Sequence, residues 1–334
     1  MDELQDYGAG IYLEMLNSAS RKLFEHYPSK VGLEILLNAK SRFEEEFKKE
    51  MIVSKEGEVS IPEAGKETRD YILELFMSLV YVYEQTYGID DVWFILTPLL
   101  KEEYLKNEAF IREGGLELPL CKHSMKYMLS NKIFGFNTVQ TSPDQWISGN
   151  ALLTSKRLFF PLQGGHFHIP VDFKSKLLSL LTTGHLPQPP SRLEVAIASM
   201  ISLGRDVYVG IGEDKRKVYG PYWAIDYRGE DNRVSSIILA GGGKALQEFK
   251  EAVIFARKKF RELSALEQRV LLLLDRRASK NYICNSCNLN EKGFEKVMER
   301  LKLVGCINER GELTSYGMSV VSSIPTYYST HSYI

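Results

Sequence analysis

His166 and His168 stand two apart in His166-Phe-His-Ile-Pro-Val171, a run that reads as a strand. Alternate strand residues share a face, so the two imidazoles can supply two of the three or four ligands a transition metal needs. The sequence offers no further ligand beside them, and exposed or half-packed strand histidines account for the pair. Cys284 and Cys287 form a single C-x-x-C, with Cys306 nearby in the chain. A structural zinc site of this kind takes a second pair at regular spacing, so small apolar side chains packing a turn between helices is the better reading. Gly210-Ile-Gly212 lacks the third glycine of a dinucleotide fingerprint, where Lys215 stands, and reads as a turn. Gly241-Gly-Gly-Lys244 lacks a glycine at position 238 and a hydroxyl after the lysine, and reads as a strand-to-helix turn. Neither G-x-S-x-G nor H-E-x-x-H occurs. No catalytic residue, metal ligand or cofactor site is therefore assigned, and the chain reads as a non-enzyme.

Charge is the remaining chemistry. The net charge of −1 gives no overall attraction to nucleic acid or anionic membrane, so any such contact must be local. Arg257, Lys258, Lys259, Arg261, Arg276, Arg277 and Lys280 make a basic stretch that suits an acidic partner. The helix expected over 291–304 exposes Lys292, Lys296, Arg300 and Lys302 against Glu291, Glu295 and Glu299. Four bases offset by three acids attract phosphate weakly, which favours protein over DNA. The expected partner-binding set is Arg257, Lys258, Arg276, Arg277, Lys280, Lys296 and Arg300. Lys215-Arg-Lys217 reads as a hairpin tip, an exposed edge by default and a phospholipid contact by the sharper reading.

These residues need elements to hold them, and the hydrophobic period supplies an α+β architecture. Residues 1–115 carry 3.6-residue spacing through Ile11 to Phe24, Val31 to Phe47, Glu67 to Tyr87 and Asp90 to Arg112, predicting an N-terminal helical bundle. Pro98 falls inside the fourth helix, at a kink or a restart. Over 126–262 short β-rich runs take over: 146–153, 157–162, 166–171, 193–198, 207–211, 218–226 and 234–240, with a loop at Leu186-Pro-Gln-Pro-Pro190. An amphipathic helix follows, with Leu246, Phe249, Val253, Ile254 and Phe260 as its apolar stripe. Seven strands and a closing helix give the order of a barrel of pleckstrin-homology type. Residues 263–323 predict a winged helix. Ser264 with Glu267 forms a capping box, Asn290 caps a third helix, Gly305 stops it in a left-handed turn, Glu309-Arg-Gly311 is the wing tip and Thr314 caps a last helix. Residues 324–334 form a tail. The start has no signal-peptide pattern and no long apolar run occurs, which predicts a cytoplasmic protein.

Ala151-Leu-Leu-Thr-Ser-Lys-Arg-Leu-Phe-Phe160 with His168-Ile-Pro170, and Leu313-Thr-Ser-Tyr-Gly-Met-Ser-Val-Val321 after the wing, resemble the barrel opening and the chain end of the archaeal CheF taxis family. The resemblance spans roughly residues 145–323 and leaves the helical front outside it. It implies an archaeal signalling adaptor that receives the phosphorylated response regulator CheY and passes the signal to the cytoplasmic ring of the archaellum motor. An acidic partner surface is then expected to dock at the junction of barrel and winged helix. A winged-helix transcription regulator and a phospholipid-binding membrane adaptor are the alternatives, and homo-oligomerisation is left open.

Overall fold

Apolar residues three and four apart drive the front of the chain into helices. In the computed structural model these are α1 (Asp2–His26), α2 (Ser29–Phe47), α3 (Arg69–Tyr87), α4 (Ile89–Lys106) and α5 (Glu108–Glu113). The structure describes residues 2–113, 116–130, 138–141, 145–162, 165–171, 205–211, 218–228, 234–308 and 310–324. Helix α1 packs on α3 and α4, and α2 on α3. Leu16, Leu23, Leu36, Phe43, Phe76, Leu79, Tyr83 and Trp93 are buried to 1% or less. Each such side chain contributes roughly 1.5–3 kcal/mol of transfer free energy. Helix α4 runs through Pro98 as one element and ends before the expected Arg112, with α5 a separate turn. The stretch between α2 and α3 holds a small hairpin, β1 (Ile52–Val53) and β2 (Val59–Ser60). The Asn17 amide fastens it to α1, donating to the Val59 carbonyl at 2.8 Å and accepting its N–H at 2.7 Å.

The strands are β3 (Pro119–Ser130), β4 (Thr138–Thr141), β5 (Ile147–Thr154), β6 (Arg157–Leu162), β7 (Gly165–Pro170), β8 (Arg205–Ile211), β9 (Val218–Arg228) and β10 (Val234–Gly241). Strand β3 pairs antiparallel with β5, β5 with β6 and β6 with β7. Strand β8 pairs antiparallel with β9 and parallel with β4. Strands β3 and β4 both precede the first expected run, 146–153, and are unanticipated additions. The expected strand 193–198, the proline loop 186–190, the hairpin tip 215–217 and most of the tail lie outside the described residues. Helix α6 (Gly243–Arg261) follows β10 directly. It buries Ala245, Phe249, Ala252, Val253 and Ala256, whereas Ile254, expected in the stripe, is 51% exposed. Two compact units emerge. One takes the described residues within 2–127, 146–171 and 239–256; the other takes those within 128–145, 205–238 and 257–324.

The turn from β5 to β6 shows why Thr154-Ser-Lys-Arg157 has that composition. The Thr154 hydroxyl oxygen accepts the backbone N–H of Lys156 at 3.2 Å and of Arg157 at 2.9 Å, closing a side-chain turn. Arg157 then donates to the Glu117 carboxylate at 3.0 and 2.6 Å, and the Thr154 hydroxyl donates to it as well. Burial pushes the Glu117 carboxyl up, but the bonds from Arg157 and Thr154 outweigh it and hold it below the ordinary value of 4.5. A depressed carboxylate contributes stability that is present above the unfolded value and is lost as pH falls through the folded one. Glu117→Gln is therefore expected to cost about 1 kcal/mol at neutral pH, modest because Arg157 is 42% exposed. Denaturant unfolding from pH 7 downward should show the two proteins converging below pH 4.5; a constant gap would exclude the ion pair as the cause.

The last described segment comprises α7 (Ala265–Asp275), α8 (Lys280–Ser286), α9 (Glu291–Leu303) and α10 (Ser315–Ser323), with an Ile307–Leu313 bridge before α10. The Ser264 hydroxyl accepts from Glu267 N–H at 3.2 Å while Glu267 accepts from Ser264 N–H at 2.7 Å, the capping box read from the sequence. Asn290 caps α9 and Thr314 caps α10 in the same way. Gly305 adopts φ 78, the left-handed stop. Val270, Leu271, Ile283, Phe294, Val297, Leu301, Val304, Cys306 and Ile307 form one core beneath these elements.

Candidate functional site

Strand alternation on β3 points Cys121, His123 and Met125 inward, each no more than 3% exposed, and leaves Lys122 half-buried and Ser124 and Lys126 exposed. Two helices of the same unit bring carboxylates to His123. Asp90, in the first turn of α4, lies 3.0 Å from its Nδ1 and also accepts the Ser124 N–H at 2.9 Å. Glu248, in the second turn of α6, lies 2.7 Å from its Nε2. The Cys121 Sγ completes a group whose donor atoms all fall within 4.8 Å of one another. Phe94 packs its ring 4.9 Å from the imidazole, and the Lys244 ammonium sits 3.9 Å over that ring. Burial pushes the imidazolium towards its neutral form. Hydrogen bonds to Cys121, Glu248 and Asp90, and attraction to Cys121, outweigh that and carry the pKa up to about 10.

Such a set can do two things. Alone, it holds an imidazolium between two carboxylates; with a cation, it offers thiolate, imidazole and carboxylate ligands. A thiol beside an imidazole oriented by aspartate also has the order of a nucleophilic triad, though here Cys121 is fully buried, unlike the partly exposed thiols of reactive sites. Sequence reasoning passed over this cluster. The Cys-x-His spacing at 121 and 123 was the available signal; Glu248, 125 residues from His123, had none.

A second buried polar group lies beside it. Glu84, 4% exposed, accepts the Trp93 indole N–H at 2.6 Å and the Lys122 ammonium at 2.6 and 2.8 Å.

The structure divides the expected partner-binding residues. Lys258, Arg276, Arg277, Lys280 and Lys296 are exposed. Arg257 is 3% exposed, so it presents no charge to a partner and leaves the set; its place on the inner face of α6 overrides its sequence neighbourhood. Arg300 is half-buried, 3.5 Å from Glu267 and with its guanidinium 4.1 Å over the Phe260 ring, so it works inside the fold. The Lys280 ammonium donates to Glu291 at 2.6 Å, and that bond raises the lysine's pKa and lowers the glutamate's. His166 and His168 share a face, as expected, and flank Phe159 with their ring centroids 6.1 Å apart. Cys284 and Cys287 pack against the C-terminal core, and burial pushes the Cys287 thiol up. Gly241 ends β10 and Gly243 begins α6, the strand-to-helix turn the sequence suggested.

The chain matches no protein-family model, no curated protein and no solved structure.

Proposed function

We propose that this chain is a non-enzymatic signalling adaptor in which residues 263–323 form a winged helix that docks on protein. The observation that carries the reading is how the cations of the last segment are used. A DNA reader keeps its bases available for phosphates, because affinity comes largely from displaced counterions. Here Arg300 is held by Glu267 and Phe260, and Lys280 by Glu291. Of the expected partner-binding set, Lys258, Arg276, Arg277 and Lys296 stand exposed and suit the electrostatic steering of an acidic protein surface. Half-exposed Tyr282 and Met318 supply the apolar contacts that anchor protein interfaces.

The preceding strands and α6 read as a barrel of pleckstrin-homology type, and the N-terminal helices as a bundle. The resemblance to CheF supports a CheY-type response regulator as the input and the archaellum ring proteins as the output. No helix among the described residues is long and apolar enough to cross a membrane. Anisotropy of a labelled duplex DNA across roughly 50–200 mM salt separates docking from DNA reading. The adaptor reading predicts weak binding with a log–log salt slope shallower than about −2; micromolar or tighter binding with a slope of about −4 or steeper would make the chain a DNA-binding protein.

A further inference from the structure

The buried cluster on β3 shares no residue with the docking cations and supports an inference independent of them. We propose that Cys121 Sγ, His123 Nε2 and the Glu248 carboxylate form a zinc site, with Asp90 holding the imidazole from Nδ1 and a fourth position left to water.

The donor chemistry selects the ion. One thiolate, one imidazole and one carboxylate match the ligands of zinc, whereas magnesium and calcium take oxygen ligands. Distance allows it. Tetrahedral zinc with ligand bonds of about 2.0–2.3 Å needs donors about 3.4–3.8 Å apart. The present atoms lie within 4.8 Å of one another, with Nε2 and Glu248 in contact at 2.7 Å. Rotation of the Glu248 side chain, which is 19% exposed at its end of the cluster, both opens that contact and admits the ion. The shell around the donors is also in place. A zinc-bound histidine characteristically gives its other ring N–H to a carboxylate, and Asp90 receives it at 3.0 Å. Cys121 and His123 come from one strand and are both fully buried, so their positions are set before any metal arrives. The ion would clip α6 to β3, with α4 oriented behind them.

Other thiol and imidazole pairs in the chain are weaker candidates. His166 and His168 are exposed and bring two donors; Cys284 and Cys287 also bring two, turned against an apolar core. They make useful controls. The full chain, stripped with chelator, is titrated with Zn²⁺ against a chromophoric competitor and with Co²⁺ as a spectroscopic probe. Expected are one equivalent bound per chain and a thiolate-to-cobalt charge-transfer band. That band should vanish in Cys121→Ser and persist in the Cys284→Ser/Cys287→Ser double variant. Glu248→Gln and Asp90→Asn should each weaken zinc by about 10–100-fold. Should Cys121→Ser fail to fold, these two milder variants decide by themselves. Absence of saturable binding, a band that follows Cys284 and Cys287, or unchanged affinity in both carboxylate variants overturns the proposal.

Discussion

Glu84→Ala is expected to destabilise the chain by about 3–5 kcal/mol, because it strands a buried lysine and an indole at once. The Glu84 side chain is 2% exposed and that of Lys122 16%, so water cannot replace the lost partner. Trp93 is fully buried, and its N–H has its acceptor in the same carboxylate. Glu84→Gln keeps an acceptor for the indole and should cost less, about 2 kcal/mol, with the remainder lost from the ammonium contact. Removing both charges tests the cause. In Glu84→Leu/Lys122→Met the unpaired ion is gone, so the loss should fall to less than half of that in Glu84→Ala. Urea unfolding of the four proteins checks the series. A Glu84→Ala loss below about 1 kcal/mol would mean that solvent reaches Lys122 after all.

Gly317→Ala should cost about 3 kcal/mol or more, against the helix preference of alanine, which favours it by about 1 kcal/mol. Gly317 lies in the first turn of α10, where a Cβ would fall 2.0 Å from the Cys306 carbonyl oxygen and 2.9 Å from its carbon. Neither backbone can withdraw. Cys306 is buried, and its carbonyl accepts the Thr314 N–H at 3.0 Å. The Thr314 hydroxyl in turn donates to the Gly305 carbonyl at 2.6 Å and accepts the Gly317 N–H at 3.0 Å. Steric exclusion therefore wins over propensity. Gly10→Ala is the matched control, since nothing lies within 4 Å of a Cβ there and the residue sits inside α1. It should stabilise by about 0.5–1 kcal/mol. If both substitutions stabilise in thermal unfolding, the close approach of α10 to Cys306 is wrong.

These two sites show what a sequence discloses. The motif Leu313-Thr-x-x-Gly317 was visible as a pattern, and the capping role of Thr314 follows from its hydroxyl. The need for glycine three residues on does not, because it arises from a carbonyl eleven residues back. Local chemistry was legible throughout: the Ser264 and Asn290 caps, the Gly305 stop and strands β5 to β7 all rest on neighbours within a few residues. Strand β3 was missed altogether because its inward residues include Cys121 and His123, which do not register as apolar although both are fully buried. Ile254 was misplaced because several registers of α6 give an apolar stripe, and packing selects one. Arg257 went astray for the same reason, since its charged neighbours suggested solvent. Glu84 carried a faint signal, sitting four residues after Val80 on the buried face of α3, but its partners come from α4 and β3. Polar burial of that kind is a tertiary property.

The adaptor reading rests most directly on binding between the full chain and a CheY-type response regulator, phosphorylated and unphosphorylated, followed by calorimetry or biolayer interferometry. It predicts a preference for the phosphorylated form and, in the variant with Lys258, Arg276, Arg277 and Lys296 all changed to Ala, about tenfold slower association at low salt, with the fold intact. Equal binding of both regulator forms, undiminished by the four substitutions, would contradict it.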